Sequence, residues 1–183
     1  MGRIAESELI INGDGSIFHL HITPEDLADT VMLVGDPGRV DMAASFFEEI
    51  EVRKSSREFQ TVTGKYNGKR ISVISTGIGC DNIDIVVNEL DALKNIDFKT
   101  REVKPEHTTL NILRVGTSGA IQPEIPLGSF VLSHYSVGFD ALLNWYGGRA
   151  NIADQKIEDD FLAHMGSEWV EKKIPVPYFV KAS

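Results

Sequence analysis

The sequence predicts an α/β domain of three layers, with helices flanking a central mixed sheet, and three observations predict it. Continuous apolar runs of strand length alternate with amphipathic stretches of helical period. An Asn-Gly pair, Asn67-Gly68, joins two segments of alternating polarity, so part of the sheet is antiparallel. Three glycine-rich loops each follow directly on a strand-like run, the arrangement that places loops at the carboxyl ends of strands.

The elements follow in order. Thr23-Pro24-Glu25-Asp26 combines an N-cap residue type, proline at the first helical position and two carboxylates in the first turn, which predicts a short helix. Val31-Met32-Leu33-Val34 is an apolar run of the kind that suits a strand buried on both faces. Gly35-Asp36-Pro37-Gly38-Arg39 and an amphipathic stretch over 40–49 give strand, tight loop and helix in turn. Over 58–75, Phe59, Thr61, Thr63 and Lys65 alternate before Asn67-Gly68, and Ile71, Val73 and Ser75 alternate after it, predicting a hairpin. Its second arm runs into Ser75-Thr76-Gly77-Ile78-Gly79, beyond which Ile83, Val86, Val87, Leu90 and Leu93 recur at helical spacing. Residues 94–107 are polar and aperiodic, which predicts a surface excursion. A second buried-type strand is expected over 110–115, closed by Gly116-Thr117-Ser118-Gly119-Ala120. Pro126-Leu127-Gly128-Ser129 then turns the chain into a strand over 130–133, a helix is expected over 154–165, and Pro175-Val176-Pro177 requires extended chain.

At 183 residues and 42% hydrophobic content, the chain reads as a single domain over 1–183 with a substantial core. A formal net charge of −9 repels nucleic acid and anionic membranes, so neither is expected as a partner. Any anionic ligand then needs a local cluster of cations. The lone Cys80 excludes an internal disulfide framework and reads as a small packing residue. No signal-like apolar core opens the sequence and no run is long enough to span a bilayer, so a cytoplasmic protein is expected.

Glycine in a loop lets backbone N–H groups approach an anion, and a following helix N-terminus adds a favourable dipole. Arginine supplies a planar fork of donors suited to phosphate. Arg39 closes the first glycine loop, Arg114 precedes the third, and Arg57 lies just outside the hairpin. Taken singly, each has a plain reading: Gly35-Asp36-Pro37-Gly38 as a turn, the arginines as surface charges or ion-pair partners. Ser75-Thr76-Gly77-Ile78-Gly79 lacks the full dinucleotide fingerprint, and His19 with His21 lacks further ligands of metal-binding spacing.

Six pieces in register carry a more specific signal. They are Phe18-His19-Leu20, Val34-Gly35-Asp36-Pro37-Gly38-Arg39-Val40, Ser56-Arg57-Glu58-Phe59, Ser75-Thr76-Gly77-Ile78-Gly79, Asn88-Glu89-Leu90 and Arg114-Val115-Gly116-Thr117-Ser118-Gly119-Ala120-Ile121-Gln122-Pro123. Together they resemble the nucleoside phosphorylase superfamily, its uridine phosphorylases most of all. The resemblance implies that Gly35, Arg39, Arg57, Arg114 and Thr117 bind phosphate, with Arg57 reaching in from a neighbouring subunit. It implies that His19, also from that neighbour, contacts the ribose, and that Ser118 and Gly119 line the sugar and base side. It further implies a monovalent cation near Glu58, Ile78 and Asn82, where Asn82 stands in place of the family's serine. No organic cofactor is implied; inorganic phosphate is the co-substrate, and the assembly is a homodimer or a hexamer with shared sites.

Phosphorolysis needs a phosphate dianion desolvated beside C1′, and clustered arginines offset that cost. Loss of the base leaves positive charge on the ribose, which the phosphate stabilises before bonding to it. No protein nucleophile is required, so no catalytic residue is assigned. A nucleoside hydrolase would have no need of the phosphate arginines. The family's later Gln-Arg and Glu-Met-Glu segments, which recognise base and ribose hydroxyls, have no counterpart here. The resemblance therefore implies a C-terminally truncated phosphorylase domain, inactive or very weak on its own, or alternatively a non-catalytic phosphate-binding or assembly subunit.

Overall fold

The computed structural model describes residues 2–182. The chain divides into two compact units, one ending at Ser118 and one beginning at Gly119.

The first unit is built on a five-stranded sheet. Its strands are β1 (Thr30–Val34), β2 (Glu49–Ser56), β3 (Phe59–Tyr66), β4 (Lys69–Ser75) and, after a two-residue pair β5 (Ile96–Asp97) and β6 (Glu102–Val103), β7 (Asn111–Arg114). The order across the sheet is β2-β3-β4-β1-β7. β1 runs parallel to β4 and β7, whereas β2, β3 and β4 form an antiparallel meander, so the sheet is mixed, as predicted. Asn67 and Gly68 turn β3 into β4 with φ of 48° and 72°. Both left-handed positions match the right-handed twist of a two-residue hairpin, which is why Asn-Gly announced it.

Helices α1 (Pro37–Ala44) and α2 (Cys80–Asn95) cover opposite faces of the sheet. Because side chains alternate along a strand, Val31 and Leu33 of β1 join Phe59 and Ile74 against Val86, Leu90 and Leu93 of α2. The N-terminal residues Ile17, Leu20 and Ile22 complete that layer. On the other face Val34, Val62 and Val73 pack against Val40 and Ala44 of α1. Each fully buried aliphatic side chain contributes ~1.5–3 kcal/mol relative to exposure, so these two clusters fix strand register on both faces.

The short helix expected at Pro24–Asp26 forms as a single turn of 3-10 helix, held by the Asp26 carboxylate accepting from the Thr23 N–H at 2.8 Å. Several other local expectations are corrected. The helix expected over 40–49 stops at Ala44: the Ser45 N–H donates to Asp41 O at 2.9 Å and its hydroxyl to Met42 O at 2.7 Å. Glu49 instead begins β2, an edge strand. The segment 94–107 is partly interior: Asn95 and Arg101 are buried, and Arg101 donates to the carbonyls of Ile4, Ala5 and Leu9, pinning the N-terminal segment. β7 forms where a buried strand was expected, but all four of its residues are exposed because it closes the sheet's edge. Cys80 is exposed at the start of α2 and does not pack.

The second unit holds β8 (Tyr135–Gly138) antiparallel to β9 (Tyr178–Lys181), with α3 (Gln155–Met165) and α4 (Ser167–Glu171) between them in sequence. Asp154 caps α3 by accepting from the Ile157 N–H at 3.2 Å. The rings of Phe139, Trp169 and Phe179 gather around Phe161 at centroid distances of 5.2–6.3 Å. The strand expected over 130–133 is absent: the ladder offered by β9 begins with Lys181 opposite Tyr135, and Phe130 and Leu132 remain exposed.

Candidate functional site

Three adjacent parallel strands, β4, β1 and β7, end side by side, and each ends in one of the glycine loops. The ladder extends one step past each strand, with Thr76 N–H donating to Val34 O and Val115 N–H to Leu33 O, both at 2.8 Å. The loops therefore leave the sheet together. They meet at Gly35, where a Cβ would lie 3.5 Å from Arg114 Nη2, 3.5 Å from the Gly77 carbonyl and 3.8 Å from Ile78 Cγ2.

On this edge, Asp36 caps α1 by accepting from the Gly38 N–H at 2.7 Å, and Pro37 begins the helix. Pro37 has no N–H and those of Gly38 and Arg39 donate to Asp36, so it is the dipole of the helix that favours an anion at this end. Arg39 sits in that same turn, half-buried. The guanidinium of Arg114 folds back to its own loop, Nη1 donating to Val115 O at 2.8 Å. Thr117 and Ser118 follow, exposed. Gly119 opens the second unit.

A second constellation forms at the turn between β2 and β3. Arg57 there takes a left-handed φ of 54°, and its guanidinium carbon stands 5.6 Å above the Phe18 ring, a cation–π geometry. Ser75, the last residue of β4, ties this turn down, its hydroxyl donating to Glu58 O at 2.8 Å and accepting from the Gln60 N–H at 2.7 Å. His19 adjoins Phe18 edge-on at 4.7 Å between ring centroids, and its Nδ1 lies 2.7 Å from Glu89 Oε1.

Glu58 and Asn82 approach the second loop from two sides: a Cβ at Gly77 would fall 2.6 Å from Asn82 Nδ2 and 3.8 Å from Glu58 Cγ. Gly77 takes φ of 67°, a conformation glycine adopts without strain, while Ile78 projects fully into solvent. Among the described residues, no group of three or more His, Cys, Asp or Glu is placed to hold a metal ion.

Charge distribution separates the candidate cations from the rest. Arg3, Arg53, Arg70 and Arg149 are each ion-paired, and Arg101 is spent on backbone carbonyls. Among the described residues, Arg39, Arg57 and Arg114 have no carboxylate partner.

One residue of this region escaped the sequence reading of the site. Glu89 lies in the matched piece Asn88-Glu89-Leu90, yet it was not assigned to the site. The available signal was its position: a glutamate beside Leu90 and in step with Val86 and Leu93, on the apolar stripe of an amphipathic helix. It is 8% exposed.

The model of the Phosphorylase superfamily matches residues 29–177. Uridine phosphorylase of Thermococcus kodakarensis is 35% identical over 133 residues, covering 73% of this chain and 43% of that protein. A DeoD-type purine nucleoside phosphorylase of Alkaliphilus metalliredigens is 37% identical over 127 residues, covering 69% and 48%. In structure, the nucleoside phosphorylase of Trypanosoma brucei, described as showing uridine phosphorylase activity, superposes with a TM-score of 0.79 at 29% identity, over 95% of this chain and 57% of that one. The chain spans about half the length of the curated relatives it matches.

Proposed function

The chain belongs to the Phosphorylase superfamily, and we propose that the protein is a nucleoside phosphorylase of the uridine phosphorylase type, converting nucleoside and phosphate to free base and ribose 1-phosphate. The observation that carries this reading is the convergence of three strand-end loops on Gly35, with Arg39 and Arg114 attached and, among the described residues, without a carboxylate partner. Phosphate is held by the Gly35 loop, the first turn of α1, Arg39, Arg114 and Thr117. These groups compensate the dianion once water is excluded and aim it at C1′. As the bond to the base lengthens, the bound phosphate stabilises the positive ribose and then bonds to it.

In this reading Ser118 and Gly119 line the sugar and base side. Arg57 and His19, gathered around Phe18, serve the site of a second copy in a homodimer or larger ring. Glu58, Asn82 and the Ile78 carbonyl suit a monovalent cation, since carboxylate, amide and carbonyl oxygens are hard donors and two of these side chains already flank Gly77. The choice of a pyrimidine is supported by the Trypanosoma brucei structure; the 37% identity to a purine enzyme makes inosine the proper comparison substrate.

The test is to incubate the protein with uridine, and separately with inosine, with and without phosphate, and to follow release of base. Phosphate-dependent release of uracil is expected, slow for a chain that spans about half the length of the relatives it matches. Release without phosphate would identify a hydrolase, and phosphate binding without release would identify a non-catalytic phosphate-binding subunit. Arg114→Ala should weaken phosphate binding by ~10–100-fold, the loss expected for charge-assisted hydrogen bonds. An unchanged affinity contradicts the site.

A further inference from the structure

Glu89 makes more contacts than a helix carboxylate needs for stability. It projects from α2 into the N-terminal segment, where Oε1 accepts from the His19 N–H at 3.0 Å and Oε2 from the Leu20 N–H at 2.9 Å. The third partner is His19 Nδ1, 2.7 Å from Oε1. Both oxygens already accept from amides, so the ring bond is satisfied by a donating Nδ1–H. The imidazole plane is set as well, with Phe18 edge-on at 4.7 Å and Phe59 at 6.4 Å between centroids. With Nδ1 engaged and the plane fixed, Nε2 has no hydrogen-bond partner among the described residues, on a side chain 28% exposed.

We propose that Glu89 is a positioning residue for sugar recognition: by taking the Nδ1 proton of His19 in a hydrogen bond, it fixes the tautomer that presents Nε2 as an acceptor to a ribose hydroxyl. A carboxylate behind an imidazole selects the tautomer and the direction of the exposed nitrogen. The same two amide bonds hold the backbone that carries Phe18, on whose ring Arg57 rests, so one buried carboxylate orders both groups of this constellation. The identity of the ligand rests on the nucleoside reading above; the tautomer does not.

The experiment uses the full chain labelled with nitrogen-15, with His19 ring signals assigned by their loss in His19→Ala. At pH 8, two-bond proton–nitrogen correlations should show His19 protonated on Nδ1 and bare on Nε2. A proton resident on Nε2 overturns the proposal, whatever the protein binds. In Glu89→Gln the fixed tautomer should give way to a mixture. Uridine titrations then separate positioning from folding: Glu89→Gln and His19→Ala should each weaken binding by ~10-fold, one hydrogen bond's worth. The double variant should be no weaker than His19→Ala alone. Additive losses would mean that Glu89 acts through the fold and not through His19, which also overturns the proposal. If the wild-type chain binds neither uridine nor inosine, the nucleoside reading falls while the tautomer still decides the role of Glu89.

Discussion

A methyl group added at Gly35 enters the place where the three loops touch, and it tests the anion cradle separately from the fold. The Cβ of Gly35→Ala would stand 3.5 Å from Arg114 Nη2, 3.5 Å from Gly77 O and 3.8 Å from Ile78 Cγ2, all ordinary contact distances. Gly35 is not among the positive-φ residues, so alanine can take its backbone conformation. For the fold, the substitution should therefore be neutral or stabilising by ~0.4–1 kcal/mol, because alanine restricts the unfolded chain. In a chain of this size that is a rise in Tm of ~1–4 °C.

The consequence for an anion is opposite in sign. A phosphate oxygen shared by the Gly35 amide and the Arg114 guanidinium must approach each nitrogen to ~2.7–2.9 Å. The methyl group lies within contact distance of that same guanidinium and takes up the space the oxygen needs. Losing one charge-assisted hydrogen bond costs ~1.5–3 kcal/mol, or ~10–150-fold in affinity. Calorimetric titration with phosphate beside a thermal melt reads both quantities. Unchanged phosphate affinity would refute the cradle, and a fall in Tm of more than ~5 °C would refute the claim that the loops have room for the methyl group.

Other perturbations test the frame that positions these loops. Gly64→Ala should destabilise by ~1–3 kcal/mol in urea, because its Cβ would collide with the Glu49 carbonyl and the Phe47 ring at the irregular β2–β3 register; no loss would contradict that packing. Glu158→Ala should cost ~3–5 kcal/mol, since Glu158 is 1% exposed and pairs with Arg149 at 2.8 Å; unaltered Trp fluorescence and melting would show the second unit does not depend on the pair. On acidification the chain should lose stability below about pH 4. Arg53 and Gln60 hold Asp41 below the usual carboxylate range by hydrogen bonds, Arg70 does so for Glu51, and the Thr100 and Lys99 amides do so for Asp97. A lowered folded pKa gives stability that is present above the unfolded value and lost as pH falls through the folded one. Asp41 and Glu51 are exposed and paired with arginine, so their share of the effect should shrink in high salt; stability that rises on acidification would contradict the sign.

What was legible in the sequence was what local chemistry determines. The β1 run, the Asn67-Gly68 hairpin and the periodic face of α2 depend on neighbours within a few residues, and all three formed where expected. β2 was hidden because the helical pattern of α1 runs on across Phe46 and Phe47, and because Glu49, Glu51 and Arg53 look like a solvated helix face. They alternate on an edge strand instead, where Glu49 and Glu51 meet Lys65 and Arg70 across the sheet. The strand expected over 130–133 failed for the complementary reason: an apolar run becomes a strand only where a partner edge exists, and that edge starts at Tyr135. Within the site, glycines and arginines announce themselves by type. Glu89 does not, because its meaning lies in a bond to a residue 70 positions earlier.

The distribution of arginine partners explains how a chain of net charge −9 could accommodate the proposed anion site. Exposed charges more than ~8 Å apart are largely screened at physiological ionic strength, so the total matters less than what stands next to each guanidinium. On the antiparallel meander, Arg53 of β2 and Arg70 of β4 are neutralised by Asp41 and Glu51. Among the described residues no carboxylate pairs with Arg39 or Arg114 at the strand ends, and Asp36, which follows the first loop's Gly35, turns its carboxylate to the Gly38 N–H as a helix cap. The dipole of the helix beyond that cap then adds to the two arginines. The acidic surface and the cationic edge are thus two outcomes of one rule: carboxylates here are spent locally, on caps and ion pairs, and among the described residues none pairs with the arginines at the ends of β1 and β7.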